Sequence, residues 1–199
     1  MMSRFLMGMA LGAALFGQAC AAETPDTTPA NVTPAAMTTG FSAPDAAWRT
    51  VDPENLLLVD TKYGQIAVEL FPEIAPKHVA QVKALARDGF YDNVPFHRVI
   101  DGFMAQGGCP DGTGMGGADA NIPAEFSSEP HARGVCSMAR SQNPNSASSQ
   151  FFVCLDDAGF LDNQYTVWGV VESGMDLIDA LPKGEPPRMP GKIVTMTVA

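Results

Sequence analysis

Arg98 stands in FHRVIDGFMAQGG, residues 96–108, among side chains that a strand would not ordinarily set beside a charge. Alternate positions of FHRVI form two sets, Phe96 with Arg98 and Ile100, and His97 with Val99. Each set mixes apolar and basic residues, whereas a half-buried strand should sort them. Phe103, Met104 and Gln106 follow at once. The company of an amide with large apolar side chains recurs in RSQNPNSASSQFFVCL, where a long polar segment runs straight into Gln150, Phe151, Phe152 and Val153. Both stretches offer hydrogen-bonding groups next to an apolar wall, although the second fits equally well a strand entering the core.

Other chemistries fit the residues less well. Hydrolysis by a nucleophile needs a base and an orienting acid. Ser141, Ser146, Ser148 and Ser149 are plentiful and His97 or His131 could act as base, but no residue sits in a nucleophile elbow and no spacing binds them into a triad. The serines read as loop residues satisfying backbone groups. His78, inside a helical stretch, reads as a solvated histidine, and Asp156 and Asp157 as a solvated turn. Gly112–Gly117 carries the letters GxGxxG, yet ADANIPAEF after it does not open a helix and Pro123 interrupts it. It reads as a loop whose glycines permit unusual backbone angles, not as a dinucleotide site.

The elements that must position these residues begin near Leu56. LLLVDTKYGQIAVELF reads as a hairpin turning at Lys62-Tyr63-Gly64, its second strand with Ile66, Val68 and Leu70 on one face. Pro72 and Pro76 bracket the start of a helix with Val79, Val82, Leu85 and Ala86 at helical spacing, stopped by Gly89. Short strands are expected over 96–100, 103–106, 134–138, 150–155 and 166–171, a second helix over 175–181 and a final strand over 192–198. In that last strand Ile193 alternates against Val194 and Met196. Many short strands with few helices predict a mainly β protein, a closed antiparallel barrel with helices capping its openings, since closure removes exposed edges.

The 199 residues leave room for one domain with appendages, and a net charge of -10 argues against a nucleic-acid partner. Residues 1–22 have the order of a secretory signal peptide: Arg4, an apolar run from Phe5 to about Gly17, then small residues. That run is too short for a membrane span. Cys20 offers lipid attachment as a lesser reading, because Gly17-Gln18-Ala19 lacks the apolar residue expected before it. Residues 23–53, rich in Pro, Thr and Ala, read as a flexible linker, and residues 54–199 as the folded domain. Without Cys20, the cysteines Cys109, Cys136 and Cys154 are an odd set that describes no disulfide framework, and their spacing does not resemble a zinc site. No metal and no cofactor are expected.

FHRVIDGFMAQGG, GTGMGG, SMARSQNPNSASSQFFVCL and FLDNQYTVWG, in this order, resemble the cyclophilins, the peptidyl-prolyl cis-trans isomerases, over essentially all of residues 56–198. The SQNPNSASSQFF segment is more similar to exported bacterial members than to eukaryotic cytosolic ones. The resemblance implies a closed eight-stranded antiparallel barrel with two capping α-helices, and rotation about X-Pro peptide bonds in proline-containing, unfolded or flexible polypeptides. It makes Arg98 the central catalytic residue. It places substrate contacts at Phe103, Met104, Gln106, Ala139, Arg140, Gln150, Phe152, Phe160, Leu161 and Tyr165, with Gln106 positioning the guanidinium. A periplasmic monomer assisting the folding of exported proteins is the expectation. The competing class is a non-catalytic Pro-peptide binding module or holdase using the same groove.

This chain departs from the family pattern at several positions. Phe160 stands where cyclosporin-sensitive eukaryotic members carry tryptophan, which implies weaker cyclosporin binding. Arg140 follows SMA where many members have asparagine, and either favours acidic substrates or is simply solvated; Tyr165 stands where eukaryotic members often have histidine. Cys109 follows QGG where aspartate is common.

Overall fold

A computed structural model of the chain describes residues 51–199. The expected signal segment, Cys20 and the linker up to residue 50 lie outside the described residues. After a single 3-10 turn at Pro53–Asn55 come strands β1 (Leu56–Thr61) and β2 (Gly64–Leu70), helix α1 (Pro76–Arg87), then β3 (Arg98–Ile100) and β4 (Met104–Gly107). β5 (Val135–Met138) and β6 (Phe151–Cys154) lead to β7 (Thr166–Ser173), helix α2 (Met175–Asp179) and β8 (Ile193–Val198).

All eight strands belong to one antiparallel sheet in the order β3-β4-β6-β5-β7-β2-β1-β8. The expected closed barrel is corrected here: the ladder is open, with β3 and β8 as its ends. The reason lies at β3. Its outward edge is already taken at Val99, whose N–H donates to the Gly184 carbonyl at 2.9 Å and whose carbonyl accepts from Gly184 N–H at 2.8 Å. The segments preceding the two end strands meet in an isolated bridge between Pro95 and Lys192, with Phe96 N–H on the Gly191 carbonyl and Ile193 N–H on that of Val94. The sheet therefore curls without a continuous seam. Among the described residues no helix is long and apolar enough to cross a membrane.

The main core lies inside the curl, where Leu57, Val59, Ile66 and Val68 of the first hairpin meet Phe96, Val99, Phe151, Val153, Trp168 and Met196. Helix α1 covers one side through Val79, Val82 and Ala86, as their spacing requires. In β8 the inward residues are Ile193 and Met196 while Val194 is exposed, against the expected alternation. Thr61 pairs with Ile193 and Asp60 with Thr195, so Val194 is the extra residue of a β-bulge and the strand changes face there.

Helix α1 has no capping side chain of its own at Ala75. Glu125 supplies one from far along the chain: its carboxylate accepts from Lys77 N–H at 3.1 Å and His78 N–H at 3.0 Å, and lies 2.7 Å from His78 Nδ1. His78 is thus fully buried and paired, correcting the expectation of a solvated helical histidine. Helical position alone does not reveal that Glu125, 47 residues further along the chain, reaches back to the helix start.

Candidate active site

β3, β4 and β6 lie side by side, with Arg98 opposite Gln106 and Gln106 opposite Phe152. Directly paired residues share a face, and the face alternates along each strand. One face therefore carries Val99, Ala105, Phe151 and Val153 into the main core. The other carries Arg98, Ile100, Met104, Gln106, Phe152 and Cys154 outward. That outer face is itself partly apolar: Met104, Phe152, Cys154, Ala158 and Leu161 form a second buried cluster, with Ile100, Phe103, Ala139 and Tyr165 packed against it. FHRVI fails to sort because Phe96 precedes the strand, and because Ile100, on the same face as Arg98, has an apolar cluster of its own to join.

A cleft of about 150 Å³ opens above this second cluster. Met104, Phe152 and Leu161 are buried beneath it, while Arg98, Phe103, Gln106, Ala139, Arg140 and Tyr165 complete its lining. Gln150 lines a neighbouring cavity of about 420 Å³ that shares Gln106, Ala139 and Arg140 with the first and is bounded by Gly114–Ala118. Phe160 lies outside both linings, 67% exposed, its ring 5.4 Å from that of Phe103. The sequence-predicted residues thus fall around one continuous depression, with Phe160 at the rim.

Hydrogen bonds divide the polar groups differently from expectation. Gln106 Nε2 donates to Gln150 Oε1 at 2.9 Å, and Gln150 Nε2 donates to the carbonyls of Gly114 at 2.9 Å and Gly116 at 2.7 Å. Gln106 is therefore tied to the glycine loop. The guanidinium of Arg98 has a different partner: its Nε donates to Glu185 Oε2 at 2.7 Å. Sequence reading missed Glu185, for its position 87 residues away carries no periodicity or motif that links it to β3.

Arg140 is neither freely solvated nor aimed outward. Its Nε donates to the Gln164 carbonyl at 3.0 Å and an Nη to that of Ser141 at 2.9 Å, and its guanidinium lies 4.6 Å from the centre of the Tyr165 ring. Stacked and hydrogen-bonded in this way, it is held in place where it lines both cavities.

Beneath the cleft lies a second arrangement that sequence reading missed. His131 Nδ1 is 2.9 Å from Asp162 Oδ1, and its Nε2 is 3.0 Å from Ser137 Oγ, which donates to the Thr166 carbonyl at 2.9 Å. These are the residue types of a triad, but Ser137 and His131 are completely buried, so no substrate reaches the hydroxyl. The imidazole instead stacks on Phe152 at 6.2 Å and meets Tyr165 edge-on at 6.5 Å, bracing the cleft floor from below. Burial by itself would raise the Asp162 carboxyl, but the hydrogen bonds from the His131 backbone and ring outweigh it and hold the group below its ordinary value.

His97 is buried with its pKa pushed down, chiefly by desolvation, and packs under the glycine loop, where a Cβ on Gly114 would meet its ring at 3.3 Å. The positive φ of 81° at Gly114 is the unusual backbone angle expected of that loop. Cys109 Sγ donates to Asp111 Oδ1 and accepts from Gly114 N–H at 3.1 Å, within the same loop.

Known proteins share this architecture. The family model for cyclophilin type peptidyl-prolyl cis-trans isomerases matches residues 56–198. A probable peptidyl-prolyl cis-trans isomerase of Brucella suis biovar 1 is 50% identical over 164 residues, covering 74% of this chain and 84% of the relative. One from Helicobacter pylori strain 26695 is 44% identical over 131 residues, covering 64% and 80%. Among solved structures, a cyclophilin from Hirschia baltica superposes with a TM-score of 0.70 at 34% identity, covering 75% of this chain and 76% of the other. A Cryptosporidium parvum cyclophilin type isomerase crystallised in the presence of the dipeptide ala-pro gives 0.68 at 31% identity, covering 72% and 98%. An open-ended β sheet with few helices, a guanidinium beside an apolar cleft, and a family match spanning that whole sheet lead to one conclusion: the chain belongs to the cyclophilin-type peptidyl-prolyl cis-trans isomerases and is an enzyme of that class.

Proposed function

We propose that Arg98 is the group that lowers the barrier to X-Pro rotation and that the cleft beside it holds the proline ring. Rotation about this bond faces a barrier of ~18–20 kcal/mol and takes about tens to hundreds of seconds unaided. No bond breaks. At the twisted geometry the amide loses its resonance, and the nitrogen lone pair becomes a better acceptor than in either planar state. A guanidinium fixed beside that nitrogen stabilises the transition state more than the ground states, which is the requirement for acceleration. Tenfold acceleration needs only ~1.4 kcal/mol, so a single charge-assisted hydrogen bond supplies a useful fraction of the effect.

The observation that carries this reading is the position of Arg98 at the edge of a cleft floored by Met104, Phe152 and Leu161 and walled by Phe103. An apolar floor grips the pyrrolidine ring and excludes water that would otherwise compete for the guanidinium. The substrates are then proline-containing, flexible polypeptides. The signal-like order of residues 1–22 supports export, with folding of other exported proteins as the task. Replacement of the rim tryptophan by Phe160 supports weak cyclosporin binding. Arg98→Ala, assayed by protease-coupled or NMR exchange measurements on an X-Pro peptide, is expected to lower kcat/KM at least about a hundredfold with the fold intact. Near wild-type turnover in that variant rejects the assignment.

A further inference from the structure

We infer that Glu185 is a positioning residue for the isomerisation, orienting Arg98 from outside the cleft. This rests on the reading of Arg98 as the catalytic donor. A guanidinium only donates, so its partner must be an acceptor oxygen. The residue across the β3–β4 ladder from Arg98 is Gln106, but its side-chain hydrogen bond runs to Gln150, and that side chain in turn to two glycine carbonyls. Among the described residues the hydrogen bond of the guanidinium goes to Glu185, at 2.7 Å through Nε.

Which nitrogen is bonded matters. A carboxylate on Nε fixes the plane of the guanidinium about its long, otherwise mobile stem and leaves both terminal amino groups available to the prolyl nitrogen. A carboxylate spanning those terminal groups would instead compete with the substrate.

The backbone enforces this pairing. Val99 and Gly184, the neighbours of Arg98 and Glu185 in sequence, exchange reciprocal hydrogen bonds of 2.9 and 2.8 Å. Gly184 has φ +147°, and a Cβ there would meet Pro187 Cα at 2.7 Å, so the turn presenting Glu185 needs glycine. Lys183 holds the same segment through the Asp179 carbonyl at 2.8 Å and approaches Asp101 at 3.7 Å. The loop that occupies the outer edge of β3, and so keeps the sheet open, is the loop that delivers the carboxylate.

The side chains of Arg98 and Glu185 are 40% and 53% exposed, so the pair adds little to stability and its effect lies in orientation. Glu185→Ala is expected to keep the wild-type unfolding midpoint and lose about tenfold in kcat, with KM changed far less. In NMR spectra the Arg98 Nε–H resonance is expected to be protected from exchange in the wild type, through its bond to Glu185, and to lose that protection in Glu185→Ala. Glu185→Gln, whose amide oxygen can still accept from Nε, is expected to stay within about threefold of wild type. Unchanged kcat with an unchanged Nε–H signal in Glu185→Ala overturns the inference, and a rise in kcat overturns it by showing a brake. If Arg98→Ala is inactive while Glu185→Ala is unimpaired, only the role of Glu185 falls; if Arg98→Ala retains turnover, the catalytic reading falls and this inference with it.

Discussion

Gln106 and Gln150 join the two cavities of the groove through one side-chain hydrogen bond, 2.9 Å from the Gln106 amide nitrogen to the Gln150 amide oxygen. Gln150 spends its own amide nitrogen on the carbonyls of Gly114 and Gly116. The glycine loop is therefore pinned to the sheet through β4's outward face, and the larger cavity owes one of its walls to that attachment.

Gln150→Ala should release the loop. Both glycine carbonyls lose their donor and Gln106 loses its acceptor, while no reacting group is removed. The expected result is a rise in KM for an X-Pro peptide of about tenfold, ~1.4 kcal/mol, with kcat affected much less. Hydrogen exchange at residues 112–117 should accelerate in parallel. A fall confined to kcat, with unchanged loop exchange, contradicts this account.

The elements of the fold were legible because their signals are local. Ile66, Val68 and Leu70 alternate as a strand must, and Val79, Val82 and Ala86 recur as a helix must; each is buried. What the sequence could not show are the contacts set by loops. The open end of the sheet depends on Gly184 reaching Val99, the helix cap on Glu125 reaching His78, and the brace under the cleft on Asp162 reaching His131. No periodicity encodes such meetings between irregular segments. The groove residues came from motif resemblance, and the structure adds how they are held: Arg98 by Glu185, and Arg140 by backbone carbonyls and Tyr165.

Acid should weaken the fold through the Glu125–His78 pair. Burial is the largest influence on His78 and holds it below its ordinary value near 6.5, against the opposing pull of Glu125. For Glu125, burial would raise the carboxyl, but hydrogen bonds from the His78 ring and the backbone of His78 and Lys77 outweigh it and lower the group. Both folded-state values are depressed, so the unfolded chain binds more protons as pH falls, and stability declines with it. The His78 contribution is complete above about 6.5 and is lost as pH falls through its folded value; that of Glu125 is complete above about 4.5 and is lost below. His97, also lowered by burial, acts in the same direction as His78, so the comparison with a variant isolates the pair. Glu125→Ala should cost ~2 kcal/mol at pH 7, from the lost helix cap and the unpaired His78 nitrogen, and should change the slope of the decline between pH 5 and 3.5 in urea unfolding. The Glu125 contribution disappears there, while His78, no longer raised by Glu125, gives up its contribution at lower pH. Parallel wild-type and variant curves over that range would falsify the linkage.

Phe160 offers a separate test at the rim. Its ring packs on Phe103 with centroids 5.4 Å apart, yet most of it is exposed, so a larger indole has space without disturbing the buried cluster. Tryptophan there restores the ring N–H donor that phenylalanine lacks. A net hydrogen bond is worth about 0.5–1.5 kcal/mol, and added apolar contact acts in the same direction. Phe160→Trp should therefore tighten cyclosporin inhibition by about tenfold. Because the other tryptophan among the described residues, Trp168, is buried in the main core, the new indole should also give a fluorescence change on ligand binding. Unaltered inhibition together with a responsive indole signal would show that the ligand reaches the rim without using the donor, and would locate the weakness elsewhere in the groove.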